Sequence, residues 1–87
     1  MNFDKLKPFS AQAQSLQKGK YRHYKGNDYE VLFVGRHTES LEELVVYRSL
    51  YDLYNMWIRP LYLFLEDVEY EGVIVPRFKY ISEWKIL

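Results

Sequence analysis

The hydrophobic and polar positions of this chain follow the pattern of β-strands joined by turns. Runs rich in β-branched and aromatic residues occupy positions 20–25, 29–37, 43–51 and 56–59, and short polar segments separate them. A further pair of runs flanks Glu71-Gly72, a dipeptide that favours a tight hairpin turn. The pattern therefore predicts an all-β domain of about five strands.

The first hairpin is predicted at Gly26-Asn27, which lies between the first two runs. Glycine in the first position of a two-residue turn favours type II′. Such a turn fixes a register with three facing pairs: Lys25 with Asp28, Tyr24 with Tyr29, and His23 with Glu30. Two of these pairs join opposite charges and one joins two rings, and each would contribute about 0.2–1 kcal/mol to the sheet.

The second and third runs are apolar on both faces. On the third run, Val45 and Tyr47 lie on one side, whereas Leu44, Val46 and Arg48 lie on the other. An antiparallel sheet with one wet face would alternate apolar and polar residues. Two apolar faces instead predict a curled sheet or a partly open barrel with an additional covering element or partner.

Two helical turns are predicted outside the strands. Ser10 is a good cap for a short helix that ends near residue 16 or 17, and Gly19 is a stop signal. We expect residues 1–17 to form an arm that is either frayed or packed on the domain through its apolar side chains: Phe3, Leu6, Phe9 and Leu16. Residues 18–87 are predicted to form one β-domain. In it the segment after Pro60 is either a second helical turn, which is the interpretation we favour, or another strand.

The composition limits the class of protein. The chain has 87 residues, 48% hydrophobic and 28% charged, which is typical of one globular domain. It has no cysteine, which excludes disulfides and thiol chemistry and favours a reducing, cytoplasmic location. No apolar run is long enough to span a membrane, and we expect no secretory signal. The 12 Lys and Arg balance the 12 Asp and Glu, so the basic excess typical of nucleic-acid binding is missing.

Several blocks of the sequence resemble one family. They are YRHYKG at 21–26, HTESLE at 37–42, VVYR at 45–48, Leu50-Tyr51, Trp57 to Pro60, and PRF at 76–78. Together, over residues 19–81, they are similar to the bacterial domain of unknown function 1653. The resemblance implies a small SH3-like β-barrel and supplies no catalytic residue or cofactor. Asp52 stands where the family has a glycine, so we expect that turn to be built differently.

Arginines beside aromatic residues form the first group of candidate functional residues. We predict a ligand-binding surface that includes five side chains: Tyr24, Arg48, Trp57, Arg59 and Arg77. Trp57 and Arg59 point to the same side of their strand, where the indole can stack on the guanidinium. Arginine binds carboxylates and phosphates as a two-pronged donor, and tyrosine and tryptophan also stack on bases. The alternative is internal pairing of the arginines with acidic residues: Glu39, Glu42, Glu66 or Asp67.

The loop at 37–42 is the second candidate. An enzyme would use His37 as a general base oriented by Glu39 or Glu42. The alternative is a connecting turn whose hydroxyls bond to their own backbone. His23 and His37 are the two imidazoles of the chain, and the predicted register keeps them apart, so no metal site is predicted.

The sequence therefore leaves several functions open. The leading hypothesis is a non-catalytic binding module for a protein or a small anionic ligand. The alternatives are a domain that binds RNA or another single strand, a small enzyme centred on His37, and a homodimer formed through an edge strand. No membrane partner and no cofactor are predicted.

Overall fold

The computed structural model describes residues 6–52 and 54–84. The described chain contains seven strands and two short helices, in this order: α1 (Ala11–Ser15), β1 (Gly19–His23), β2 (Asp28–Arg36), β3 (Glu43–Ser49), β4 (Met56–Pro60), α2 (Leu61–Phe64), β5 (Asp67–Tyr70), β6 (Val73–Pro76) and β7 (Phe78–Ser82). The predicted count of about five strands is too low, because β5 and β6 form a sheet of their own. No helix in the described ranges is both long enough and apolar enough to cross a bilayer.

Five strands form the main antiparallel sheet in the order β4-β3-β2-β1-β7, and β5 pairs with β6 in a separate hairpin. Within the described chain, β4 and β7 are the edges of the main sheet and do not pair with each other, so the sheet is open. The predicted predominance of β-structure is confirmed. Closure into an SH3-like barrel is not seen in this pairing and stays a prediction.

The register of the first hairpin differs from the prediction. Arg22 pairs with Asp28 and Tyr21 pairs with Tyr29, so residues 24–27 form a loop of four residues rather than a two-residue turn. The loop is closed by the His23 amide, which donates to the Asn27 carbonyl at 2.8 Å. The predicted register would place Arg22 opposite Val31, whereas the observed register sets Tyr21 opposite Tyr29 on the buried face. The observed register also has two pairs of opposite charge, Arg22 with Asp28 and Lys20 with Glu30, so it keeps favourable charge pairs and in addition buries the ring of Tyr21.

The hydrophobic core lies on one face of the main sheet, called the inner face below. It includes Val31, Val45 and Tyr47 from the central strands, and helix α2 adds Phe64. The ring of Phe64 stacks on that of Phe78, with centroids 4.2 Å apart and planes 7° apart. The two helices cover the inner face, because Leu61 and Ala13 also belong to this core. The other face keeps exposed apolar side chains, such as Phe33 and Ile58 at 51% and 64%, so the cover expected for a second apolar face is not seen in the described chain.

The described part of the N-terminal arm packs against the domain. Ser10 caps α1 by accepting a hydrogen bond from the Ala13 amide at 3.1 Å, as predicted. Phe9 and Leu16 pack against the core, while Phe3 lies outside the described residues. Of the two alternatives for the arm, the structure therefore shows packing over residues 9–16.

Three connections follow the sequence signals. Tyr70 pairs with Val73 across Glu71-Gly72, and both turn residues have positive φ, which is a type I′ hairpin turn. Helix α2 begins directly after Pro60, as predicted. The turn after β3 uses Asp52, whose carboxylate accepts from the Ser49 hydroxyl at 2.5 Å and from the Asn55 amide at 3.4 Å.

Candidate functional site

Edge strand β4 carries two of the predicted binding residues on the inner face. Arg59 lies opposite Val45, and Trp57 lies opposite Tyr47. Val45 and Tyr47 are buried, so the side chains of Arg59 and Trp57 share the face that forms the core. The Trp57 side chain is nevertheless 47% exposed, because the sheet ends at β4 and nothing in the described chain covers it there.

Phe78 joins this edge to the other side of the sheet. The guanidinium carbon of Arg59 lies 6.0 Å from the centroid of the Phe78 ring. The imidazole of His23 contacts the same ring edge-to-face, with centroids 5.0 Å apart. An arginine and a histidine from strands that are not neighbours therefore meet around one buried ring.

The electrostatics of His23 show which cations surround it. Partial burial lowers the pKa of His23, and the positive charges of Arg77, Arg59 and Lys25 lower it further, in that order. Nδ1 of His23 accepts a hydrogen bond from the Lys25 amide at 3.2 Å, which places the proton of the neutral ring on Nε2. We call His23, Arg59 and Arg77 the basic cluster, and Trp57, Tyr47 and Phe78 its aromatic floor.

The arginines differ in how their charges are balanced. Arg22 pairs with Asp28 at 2.8 Å, Arg48 with Glu30 at 2.7 Å, and Arg77 with Glu66 at 3.0 Å. Arg36 donates to the Lys7 carbonyl and lies over the Phe9 ring. Arg59 has no carboxylate within 4.0 Å in the described chain. The internal pairing that the sequence left as an alternative thus holds for Arg77, which pairs with one of the expected acids. Arg48 is also paired internally, but with Glu30, which was not expected, and Arg59 is not paired.

The basic cluster also contains an unsatisfied donor. Nε of Arg77 is buried and has no hydrogen-bond partner in the described chain, although the other end of the guanidinium reaches Glu66. A buried donor without a partner is unfavourable, commonly by about 1–3 kcal/mol.

The structure places the other predicted residues elsewhere. Arg48 lies on the outer face, where its guanidinium pairs with Glu30 and lies 5.4 Å from the Tyr54 ring. Tyr24 follows β1 and packs beside the basic cluster, with its ring 4.5 Å from that of His23 and 5.4 Å from that of Tyr70. The predicted surface therefore separates into an inner part around Arg59 and an outer residue, Arg48.

The 37–42 loop forms the connection between β2 and β3. Nδ1 of His37 accepts hydrogen bonds from the amides of Glu39 and Ser40 at 3.1 and 3.3 Å. The Glu39 side chain is 80% exposed, and the Ser40 hydroxyl accepts from the Glu42 amide. These bonds are those of a connecting turn, the second interpretation drawn from the sequence. Oε2 of Glu39 also lies 3.3 Å from Nδ1 of His37, which is the contact that the enzyme hypothesis expected. Within the described residues, no three side chains of the metal-binding types are grouped to hold an ion.

Sequence reasoning missed His23 and Phe78 as members of the site. The alternation in β1 was available as a signal, because it puts His23 on the same face as the buried Tyr21. The predicted register moved His23 opposite Glu30 and so hid this relationship. The Phe78 contact with Arg59 joins strands at opposite edges of the sheet, which no local pattern encodes.

Comparisons with known proteins add the family. Residues 19–80 match the family described as "Protein of unknown function (DUF1653)". The chain is also similar to a crystal structure of a DUF1653 protein from Bordetella bronchiseptica, with 35% sequence identity and a TM-score of 0.77. That similarity covers 86% of this chain and 99% of the other chain. No curated protein matches the chain.

Proposed function

Since the chain belongs to the DUF1653 family, which is described only as of unknown function, we propose a function from the side chains of the chain itself. The protein is a non-catalytic module that binds an acidic segment of a protein partner at the basic cluster and its aromatic floor. Family membership confirms the resemblance found in the sequence. It supplies no ligand, so the proposal depends on the geometry around Arg59.

One observation carries the proposal. Arg59 has no carboxylate partner in the described chain, and it is held over the Phe78 ring beside Arg77 and His23. Positive charges that are close enough to depress the pKa of His23 repel one another, so an anion between them is favourable. A carboxylate suits the site because it accepts two parallel hydrogen bonds from a guanidinium.

Exposure favours a protein over an enclosed small molecule as the partner. Trp57, Met56 and Tyr51 are 47%, 55% and 50% exposed, so the open edge at β4 presents apolar surface next to Arg59. Tryptophan and arginine are the residue types that most often dominate the binding energy of protein interfaces. A peptide carboxylate at Arg59 with apolar neighbours against Trp57 would use both features.

Three further parts of the proposal come from the sequence. We propose an SH3-like barrel as the fold, a cytoplasmic location, and no catalysis. The absence of cysteine supports a reducing compartment. The hydrogen bonds that His37 accepts from the backbone of its own connecting turn support the non-catalytic assignment.

The test is an amide chemical-shift titration of the labelled protein with pools of acidic peptides. Each acidic peptide has a matched peptide in which Gln replaces Glu. We expect contiguous shifts around Trp57, Arg59 and Phe78 with the acidic peptides only. The imidazole resonance of His23 provides a second readout, because a bound carboxylate raises the pKa of that ring.

Two variants and a control locate the site. Arg59→Gln should weaken binding by about tenfold or more, since a charge-assisted hydrogen bond contributes about 1.5–3 kcal/mol. Trp57→Ala should weaken binding through the lost apolar contact. Lys79→Gln removes a cation of the outer face and should leave peptide binding unchanged. Wild-type affinity in the Arg59 variant would show that the proposed site is wrong.

Single-stranded RNA is a second candidate because rings are exposed near the same edge. Tyr54, Tyr51 and Trp57 are all about half exposed, and bases stack on such rings. A pool of short RNAs is therefore the second arm of the titration. Affinity that falls steeply with salt would favour RNA, whereas shifts with acidic peptides alone would exclude it.

A further inference from the structure

A cleft of about 450 Å³ lies on the other side of His23, between the outer face of the main sheet and the β5–β6 hairpin. Strands β1 and β7 form one wall, and the hairpin forms the other. The side chains that matter for its chemistry are Arg22, Lys79, Tyr24, Tyr70, Pro76 and Ile81. This volume lies within the range of about 300–1,000 Å³ that is typical of sites for small molecules.

Two like charges face each other on the strand wall of the cleft. Arg22 pairs directly with Lys79 across β1 and β7. Like charges in directly opposite positions destabilise a sheet, so this arrangement is unfavourable unless an anion compensates it. Asp28 is the carboxylate beside Arg22, at 2.8 Å. It also pairs with Lys20 at 3.4 Å and so is shared between two cations.

The charge of Lys79 remains uncompensated. No carboxylate of the described residues lies within 4.0 Å of its ammonium group. Of the three cations, Arg22 and Lys79 line the cleft, whereas Lys20 lies opposite Glu30 across β1 and β2 and outside the cleft lining. The Arg22 guanidinium donates from Nε and one terminal nitrogen to Asp28, which leaves N–H groups that are not used there. Two cations of the strand wall therefore face the cleft, and one of them has no carboxylate partner in the described residues, which suits a phosphate group.

The opposite wall is flat and apolar. The rings of Tyr24 and Tyr70 contact each other edge-to-face, with centroids 5.4 Å apart. Val75 and Pro76 of β6 extend this surface along the cleft, and Ile81 of β7 adds an apolar side chain on the strand wall. Tyr70 and Ile81 are 43% and 37% exposed, so these apolar groups face solvent in the cleft. A flat ring between such side chains would be removed from water on both faces.

We propose that this cleft binds a small phosphate monoester with an aromatic body, the phosphate at Arg22 and Lys79 and the ring against Tyr24 and Tyr70. The inference goes beyond the proposed function, because its ligand is a small molecule and its cations are not those of the basic cluster. The two sites adjoin at His23 and Tyr24, but their charged groups lie on different faces: Arg59 points to the inner face, and Arg22 and Lys79 point to the outer face.

Phenyl phosphate is the probe, and amide chemical shifts of the labelled protein are the measurement. We expect saturable shifts at Lys79, Tyr70 and Tyr24. Inorganic phosphate carries the charge without the ring, and phenol carries the ring without the charge, so both should bind at least about tenfold more weakly. If inorganic phosphate binds as tightly as phenyl phosphate, the aromatic part of the proposal is wrong. If phenol binds as tightly as phenyl phosphate, the proposed role of the cations is wrong.

Variants then assign the shifts to the cleft. Lys79→Gln should weaken phenyl phosphate by about tenfold or more, and Tyr70→Ala should weaken it without affecting inorganic phosphate. Lys79 is exposed, and its removal relieves the repulsion from Arg22, so the variant should be at least as heat-stable as the wild type. Arg59→Gln is the matched control and should bind phenyl phosphate normally. This site would be refuted if phenyl phosphate caused shifts centred on Trp57 and Phe78, or if the Lys79 variant bound it with wild-type affinity. Neither result would decide the peptide proposal, which has its own test.

Discussion

Ser10 and Glu43 are joined by two hydrogen bonds that fasten the N-terminal arm to the sheet. The Ser10 amide donates to Oε2 of Glu43, and the Ser10 hydroxyl donates to Oε1, both at 2.7 Å. These bonds lower the pKa of Glu43. The same hydroxyl accepts from the Ala13 amide, so one side chain both caps α1 and docks it on β3.

Ser10→Ala should therefore lower the free energy of unfolding by about 1 kcal/mol, within the range of about 0.5–2 kcal/mol for a lost helix cap. Urea unfolding followed by circular dichroism measures the change. Ser15→Ala is the control, because the Ser15 hydroxyl is exposed and bonds only to the Gln12 carbonyl one turn earlier. If the two variants unfold at the same urea concentration, the contact with Glu43 does not stabilise the fold.

Gly19 begins β1 at a place where a side chain would collide with the last strand. Its φ is +134°, and a Cβ built there would lie 2.5 Å from the Ser82 carbonyl oxygen. Gly19→Ala should destabilise the protein by about 2–3 kcal/mol, through backbone strain and the displacement of β7. Gly35→Ala is the matched control, since a Cβ at that position would meet no atom within 4 Å. Equal urea midpoints for the two alanine variants would contradict the close contact of β1 with β7.

Phe64 anchors helix α2 in the core. Its side chain is 1% exposed and stacks on Phe78. Phe64→Ala should lower the free energy of unfolding by about 3–5 kcal/mol, because it removes buried surface and leaves a cavity. Phe33→Ala removes the same side chain where it is 51% exposed, so the loss there should be much smaller. Thermal unfolding of both variants tests whether α2 belongs to the cooperative unit, and similar losses would show that it does not.

The lowered pKa of His23 predicts a dependence of stability on pH. The unfolded chain binds a proton at His23 near pH 6.5, whereas the folded protein binds it only at lower pH. Within this window the unfolded state holds more protons, so the free energy of unfolding falls as pH falls below about 6.5. His23→Gln should flatten the slope between about pH 5 and 7, above the usual range of carboxyl titration.

Arg59→Gln tests the source of this shift. It removes one of the charges that depress the pKa of His23, so the folded pKa should rise and the slope should decrease. Lys79→Gln is the control, because Lys79 is not among the groups that shift His23. Titration of the His23 imidazole by NMR gives the pKa directly. If the titration midpoint of His23 is the same in Arg59→Gln as in the wild type, Arg59 does not belong to the basic cluster.

The sequence determined the local elements of this protein, because short-range rules govern them. Runs of β-branched and aromatic residues between polar turns set the positions of the strands, Ser10 set the start of α1, and Glu71-Gly72 set the second hairpin. The positions of Trp57 and Arg59 on one face also follow from alternation within a single strand. The family could be recognised because its blocks are contiguous in the sequence.

The tertiary structure alone decided the register of the first hairpin, the membership of the candidate site and the pairing of each arginine. The register depends on which ring is buried against the rest of the core, so Tyr21 could be placed only once the other strands were in position. Arg48 and Arg59 look alike in the sequence, because each lies within two residues of an aromatic residue. Arg48 finds Glu30 across a strand pair, while Arg59 reaches Phe78 from the opposite edge of the sheet. Such distant contacts arise from the way the sheet folds over its core, and local propensities carry no information about them.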